Sequence, residues 1–188
     1  MRGKGPRGPG ESVLLLLQVV TLLEKEKFEY AVIGAIAAAV HGAIRATTDA
    51  DVLLAITMSR LAALEKRIKA AGLATEIRRG DPDDPIIAIL VVSDRYENRV
   101  ELLAGIRGMD PQAFNRRQRV PFQGATLEVI GREDFIAMKC FARGPLDLVD
   151  ARHVLKSPDG ALDLDLLRRV TRRFGRPAAD ALEQLLAP

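Results

Sequence analysis

The sequence predicts an α+β fold, with a mixed β-sheet core flanked by helices over residues 12–131 and a helical segment over 132–188. Three observations carry this. Short apolar runs bounded by turn residues fall mainly in the first two thirds of the chain, as "YAVIG", "DADVLLAI" and "RVELLAG". The apolar spacing turns from alternating to helical near Gly131. Beyond it only amphipathic segments follow.

The elements are read in order. Residues 1–11 are basic and rich in glycine and proline, and are expected to be disordered. A helix is expected over 12–27, capped by Ser12. Its "VLLLLQVVTLL" mimics the apolar part of a secretory leader. Against that reading, Glu11, Gln18 and Thr21 interrupt it, "EKEK" follows, and no A-x-A site is present. It is also shorter than the roughly 20 residues that a membrane span needs. A strand over 30–34, a helix over 35–42 and a strand over 49–56 come next. A helix over 59–71 is capped by Ser59 and closed by Gly72. The turn "RGDPDDP" precedes a strand over 86–92. Strands over 99–104 and 125–130 flank a loop or short helix reaching about 118. Helices are expected over 132–142, 145–155, 163–174 and 177–186.

Composition excludes some classes. Hydrophobic residues make 48% and charged residues 28% of the 188, as in ordinary globular chains, and aromatics only 4% with no Trp, which argues against stacking platforms for single-stranded nucleic acid. The net charge of +3 is too balanced to announce a nucleic-acid binder. Arginines nevertheless cluster at 168, 169, 172, 173 and 176, and more loosely at 107, 116, 117 and 119. They read either as solvated faces or as a phosphate-binding surface. Cys140 is the sole cysteine, so no internal disulfide can form. It reads as a small packed hydrophobe, in keeping with a reducing cytoplasm and no membrane contact.

The chemistry concentrates in "GAIAAAVHGAIRATTDADVLL", Gly34 to Leu54. Residues i and i+2 of a strand share a face, so Asp49 and Asp51 project together, their Cα atoms roughly 6–7 Å apart. Carboxylates so placed are hard-oxygen ligands for Mg²⁺. Two ions call for a third acid, and Glu101, among Val100, Leu102 and Leu103, is the candidate. Upstream, Gly34 ends a strand and opens a helix, where backbone N–H groups can cradle a phosphate. Together these are the parts of phosphoryl or nucleotidyl transfer assisted by two metal ions. Taken alone, D-x-D is a weak signal that reads first as a solvated turn.

This arrangement resembles the nucleotidyltransferase superfamily with the polymerase-beta-like core. That pattern is an apolar strand, Gly-Gly or Gly-Ser, a helix, D-x-D or D-x-E on the next strand, and a later acid. Here it reads Gly34-Ala35, Asp49-Ala50-Asp51 and Glu101. The chain looks most like AbiE-type abortive-infection toxins, with Gly34, Ala37, Gly42, Arg45, Thr47, Asp49 and Asp51 in register. In the C-terminal segment, Lys139, Ala142, Asp147, Asp150 and Val154-Leu155 also match, so the likeness spans about 30–155. Three departures stand out. Ala35 replaces the second glycine or serine, Leu146 replaces a lysine, and glutamate at 101 replaces the commoner aspartate.

The resemblance implies that NMP moves from an NTP to a hydroxyl on RNA such as tRNA, on a protein, or on a small molecule. The arginine-rich segments tilt the choice toward RNA. It also brings a cognate antitoxin into view as a partner. Asp49, Asp51 and Glu101 would hold the two Mg²⁺ ions, with Glu101 also acting as base. Gly34 and Ala35 would hold the β- or γ-phosphate. Arg45 would either clamp the triphosphate or pair with Asp49 or Asp51. Thr47 belongs with the nucleotide-binding set, although it and Thr48 suit shaping the strand start better. Lys139 would reach the nucleotide or snorkel. His41 and His153 are too isolated for zinc, and His41 suits a helix end. Asp147 and Asp150 read as partners of Arg143, Arg152 or Lys139. The alternative, which Ala35 and Leu146 favour, is a catalytically degenerate module that binds a partner protein or nucleotide.

Overall fold

In the computed structural model, which describes residues 5–158 and 161–187, the apolar runs assemble into one seven-stranded mixed sheet. Its strands are β1 (Tyr30–Ile33), β2 (Asp49–Leu54), β3 (Ala74–Arg79), β4 (Ile86–Ser93), β5 (Arg99–Ile106), β6 (Gln118–Phe122) and β7 (Ala125–Val129), in the order β3-β4-β5-β2-β1-β7-β6. β2 runs antiparallel to β1 and parallel to β5, and β1 runs parallel to β7. The helices are α1 (Ser12–Lys25), α2 (Gly34–Val40), α3 (Met58–Ala70), α4 (Arg132–Ala142), α5 (Pro145–Lys156), α6 (Leu164–Arg172) and α7 (Arg176–Leu186), with a 3₁₀ turn over Pro111–Arg116.

Two strands escape the sequence reading, β3 and β6, and both lie at sheet edges. An edge strand is paired on one side only and needs little apolar patterning. β3 carries Ile77 among charged residues, and β6 contains Pro121, tolerated because one side of an edge strand bears no ladder.

Side-chain periodicity explains the core. Val52, Leu90 and Leu102 on one face of the sheet are fully buried. α1 packs on β2 and β5, and α3 on β3 and β4. α4 is the centre of the C-terminal helices, touching α5, α6 and α7. One continuous apolar cluster joins residues on both sides of Gly131, from Leu15 through Leu127 and Phe135 to Leu182.

Two expected caps are replaced. Helix α1 starts from Glu11, and Ser12 is buried with its hydroxyl donating to Thr48 O (2.6 Å) and accepting from Arg99 N (3.0 Å). Ser12 therefore ties together the residues that open β2 and β5. Helix α3 starts from Thr57, whose hydroxyl lies 3.1 Å from that of Ser59. Of the N-terminal segment expected to be disordered, residues 1–4 lie outside the described residues. From residue 5 onward it is pinned by the buried Asn98, whose amide donates to Gly8 O (2.9 Å) and accepts from Glu11 N (2.7 Å).

Among the described residues no helix is long and apolar enough to cross a membrane.

Candidate active site

β2 delivers its two aspartates onto one face, and the parallel pairing with β5 sets Asp51 beside Glu101 and Asp49 beside Arg99. Asp51 also faces Ile33 of β1, so its carboxylate rests against the start of α2. There the chain turns through Gly34 at φ +64°, and a Cβ on that residue would lie 2.0 Å from Asp51 Oδ2. Gly34 is thus demanded twice, by its left-handed backbone and by the carboxylate that occupies the space of a side chain.

Electrostatics at this corner is unfavourable. Burial, then Asp49, then Glu101 push the Asp51 carboxyl up to about 6, against a weaker opposite pull from Lys139 and Arg45. Thr47 donates its hydroxyl to Asp49 Oδ1 at 2.9 Å, which holds that carboxylate at the strand start. Glu101 is ion-paired with Arg99, two residues before it on the same strand face. Arg99 was passed over in the sequence, although i, i+2 spacing to an acid in a strand was the available signal.

Lys139 takes up the expected partners Asp147 and Asp150, whereas Arg45 departs from the expectation. Arg45 pairs with neither Asp49 nor Asp51 but bonds Asp150 through Nε at 3.3 Å. Lys139, nearly buried, bonds Asp147 at 2.7 Å and Asp150 at 3.0 Å. Asp150, itself buried, therefore joins the loop before β2 to α4 and α5. Leu146 on α5 is exposed. His41 caps the end of α2, with Nε2 2.8 Å from Ile130 O and its ring against Phe135.

Most of the clustered arginines are structural. Arg116 grips Asp134 at 2.7 Å through both Nε and Nη2 and reaches Asp110 at 2.9 Å. Arg117 donates to Tyr30 O (2.7 Å) and Arg119 pairs with Glu128 (3.2 Å). Arg168 pairs with Glu183 at 2.8 Å, and Arg176 with Asp180 at 3.7 Å.

A cavity of about 760 Å³ opens beside Gly34 and Asp51, bounded by Lys139 and Asp147 on the helical side. The donor chemistry of Asp49 and Asp51 suits a hard divalent cation. Among the described residues, however, no three His, Cys, Asp or Glu side chains converge as a ready cation site. Glu101, the third acid, is held by Arg99.

No protein-family model matches the chain, and no curated protein is significantly similar to it. Solved structures are similar. The antibiotic-resistance factor ANT(2'')-Ia aligns with a TM-score of 0.62 at 13% identity, over 93% of this chain and 96% of that one. A nucleotidyltransferase-like protein from Paracoccidioides brasiliensis gives 0.55 at 12% identity, over 94% and 87%. The lincosamide antibiotic adenylyltransferase LnuA gives 0.52 at 9% identity, over 80% and 99%. The chain has the fold of the nucleotidyltransferases.

Proposed function

We propose that the protein is a nucleotidyltransferase that moves NMP from an NTP to a hydroxyl acceptor. The observation that carries this is the corner where Asp51 packs onto the bare Cα of Gly34 beside Asp49 and Glu101. Asp51 gains no stability from having Asp49 and Glu101 beside it, and a withdrawn acid so placed suits a ligand that cancels its charge. The nucleotidyltransferase fold of the similar structures supports the same reading.

In this reading Asp49, Asp51 and Glu101 would hold Mg²⁺, with Glu101 released from its ion pair with Arg99. When bound, Mg²⁺ supplies positive charge to the phosphates and to the attacking oxygen. The backbone N–H groups of Gly34 and Ala35 hold the terminal phosphates. Thr47 keeps the Asp49 carboxylate in place. Lys139, at the cavity wall, and Arg45 add positive charge near Asp51. The acceptor oxygen attacks the α-phosphorus, the bond to the bridging oxygen of pyrophosphate breaks, and pyrophosphate leaves. The hydroxyl proton passes to Glu101. Kinship to AbiE-type toxins, and with it an antitoxin partner, rests on the motif from Gly34 to Asp51 and the Lys139–Leu155 segment.

The ion pair between Arg99 and Glu101, with Ala35 and the exposed Leu146, favours a second reading, a degenerate module that binds nucleotide or a partner without transfer. One experiment separates them. NTPs labelled at the α-phosphate are incubated with Mg²⁺ and hydroxyl acceptors, comparing wild type with Asp49→Ala/Asp51→Ala. Labelled acceptor from wild type alone supports the transferase. Nucleotide binding without label supports the degenerate module. Absence of both removes the basis of either reading.

A further inference from the structure

We propose that the end of the cavity remote from the carboxylates is an anion-binding subsite, and that the acceptor is a hydroxyl compound with an apolar body and a negatively charged group. The word acceptor rests on the transferase reading above; the subsite stands on the cavity itself.

The cavity runs from Gly34 and Asp51 to Arg107, Gly108 and Arg173. Between these ends its wall is largely apolar, with Leu103 and Ile106 from the sheet, Met138 and Phe141 from α4, and Phe174 after α6. The Phe141 and Phe174 rings stack with centroids 4.7 Å apart. Gly108 builds the remote end. Its φ is +83°, and a Cβ there would lie 2.7 Å from Arg173 O and 3.0 Å from the Phe174 ring. That close approach lets the end of α6 settle on the end of β5, where Arg173 donates to Gly108 O (3.3 Å) and Met109 O (3.4 Å).

The charges along the wall separate cleanly. Lys139 and Asp147 satisfy each other at 2.7 Å, and Asp51 belongs to the acid cluster. What remains is Arg107 and Arg143 against a single acid, Asp83, on the exposed turn before β4, while Arg173 is docked on the Gly108 and Met109 carbonyls and acts on Asp110. Arg107 and Arg143 have no ion-pair partner among the described residues. Arg107 follows Glu101 by six positions, roughly 20 Å of strand. Arg107 thus lies past the far end of β5 from Glu101. Guanidinium groups beside an apolar wall match carboxylate, phosphate or sulfonate oxygens. At this end of the cavity a polyamine would meet Arg107 and Arg143 with only the solvated Asp83 to offset them, an arrangement that disfavours it.

The test uses two dyes with the same rings, anilinonaphthalene sulfonate and its uncharged parent phenylnaphthylamine, titrated by fluorescence into the full chain. A charge-assisted hydrogen bond predicts that the sulfonate binds about tenfold more tightly. Arg107 is exposed, so Arg107→Gln should retain the melting temperature and reduce that preference to about threefold or less. Neither tobramycin nor Mg·ATP should displace the sulfonate. Equal affinity of the two dyes, or a preference that survives Arg107→Gln, overturns the subsite. Displacement by tobramycin overturns the exclusion of polyamines, and displacement by Mg·ATP assigns the arginines to the nucleotide and overturns the acceptor claim. A separate Mg·ATP titration by calorimetry reports on the transferase reading. Loss of ATP binding with the dye preference intact sinks that reading and leaves the subsite standing.

Discussion

Asp51 and Asp134 are both carboxyls withdrawn from water, and burial pushes both upward from the ordinary aspartate range. Their neighbours then act in opposite directions. Asp134, 2% exposed on the first turn of α4, is gripped by both arms of Arg116, which offsets part of that rise although its carboxyl stays raised. Asp51 is surrounded by Asp49 and Glu101, which push it further up, while the nearest cations attend other acids. One corner is a closed structural joint and the other is left electrostatically open. The contrast teaches that burial alone does not distinguish a structural acid from a candidate site acid, and that the presence or absence of a committed cation does separate these two.

The comparison breaks most sharply at the joint. Arg116→Ala leaves Asp134 buried without its cation and should cost roughly 3–5 kcal/mol. Urea denaturation would measure it, with the Mg²⁺-dependent behaviour of the folded fraction unchanged. Asp51→Asn should act oppositely and stabilise the metal-free protein. A carboxyl held at about 6 in the native state against 3.8 in the unfolded chain binds protons more tightly when folded. Stability is therefore lost as pH rises from about 4 to about 6, by up to about 3 kcal/mol over roughly two pKa units. Melts in EDTA should show wild type losing stability relative to Asp51→Asn across that window, with transfer abolished in the variant. A variant whose stability runs parallel to wild type across the window would refute the assignment of the loss to Asp51.

Gly34→Ala should cost about 1–3 kcal/mol for the left-handed backbone and displace the Asp51 carboxylate. Its signature is loss of Mg·NTP affinity beyond the drop in melting temperature. The smallest effect is expected at Ser12→Ala, about 1–2 kcal/mol, because Thr48 O and Arg99 N lose their shared hydroxyl. Chemical denaturation would read it, and unchanged stability would remove Ser12 from the role of tying β2 to β5.

Much of the fold was legible. The central strands β1, β2, β4 and β5 and the helices α4 to α7 emerge from periodicity, because each buries a face or a stripe. The edge strands β3 and β6 did not, since half their pairing and much of their surface face outward. Within the candidate site, the nearness of Asp49 and Asp51 was readable because strand pleat is local. The partners of Arg45 and Lys139 were open among several acids, and the structure joins both to Asp150.

By itself, the sequence determined which residues share a strand face, where the chain needs glycine, and where sheet patterning yields to helices. These follow from backbone geometry that acts over a few residues. Only the tertiary structure decided that Glu101 lies beside Asp51, that Arg99 holds Glu101, and that Arg107 and Arg173 share the remote end of the cavity. Those neighbours depend on sheet register and on how α6 docks against β5, which are set by the packing of the whole core rather than by any local spacing.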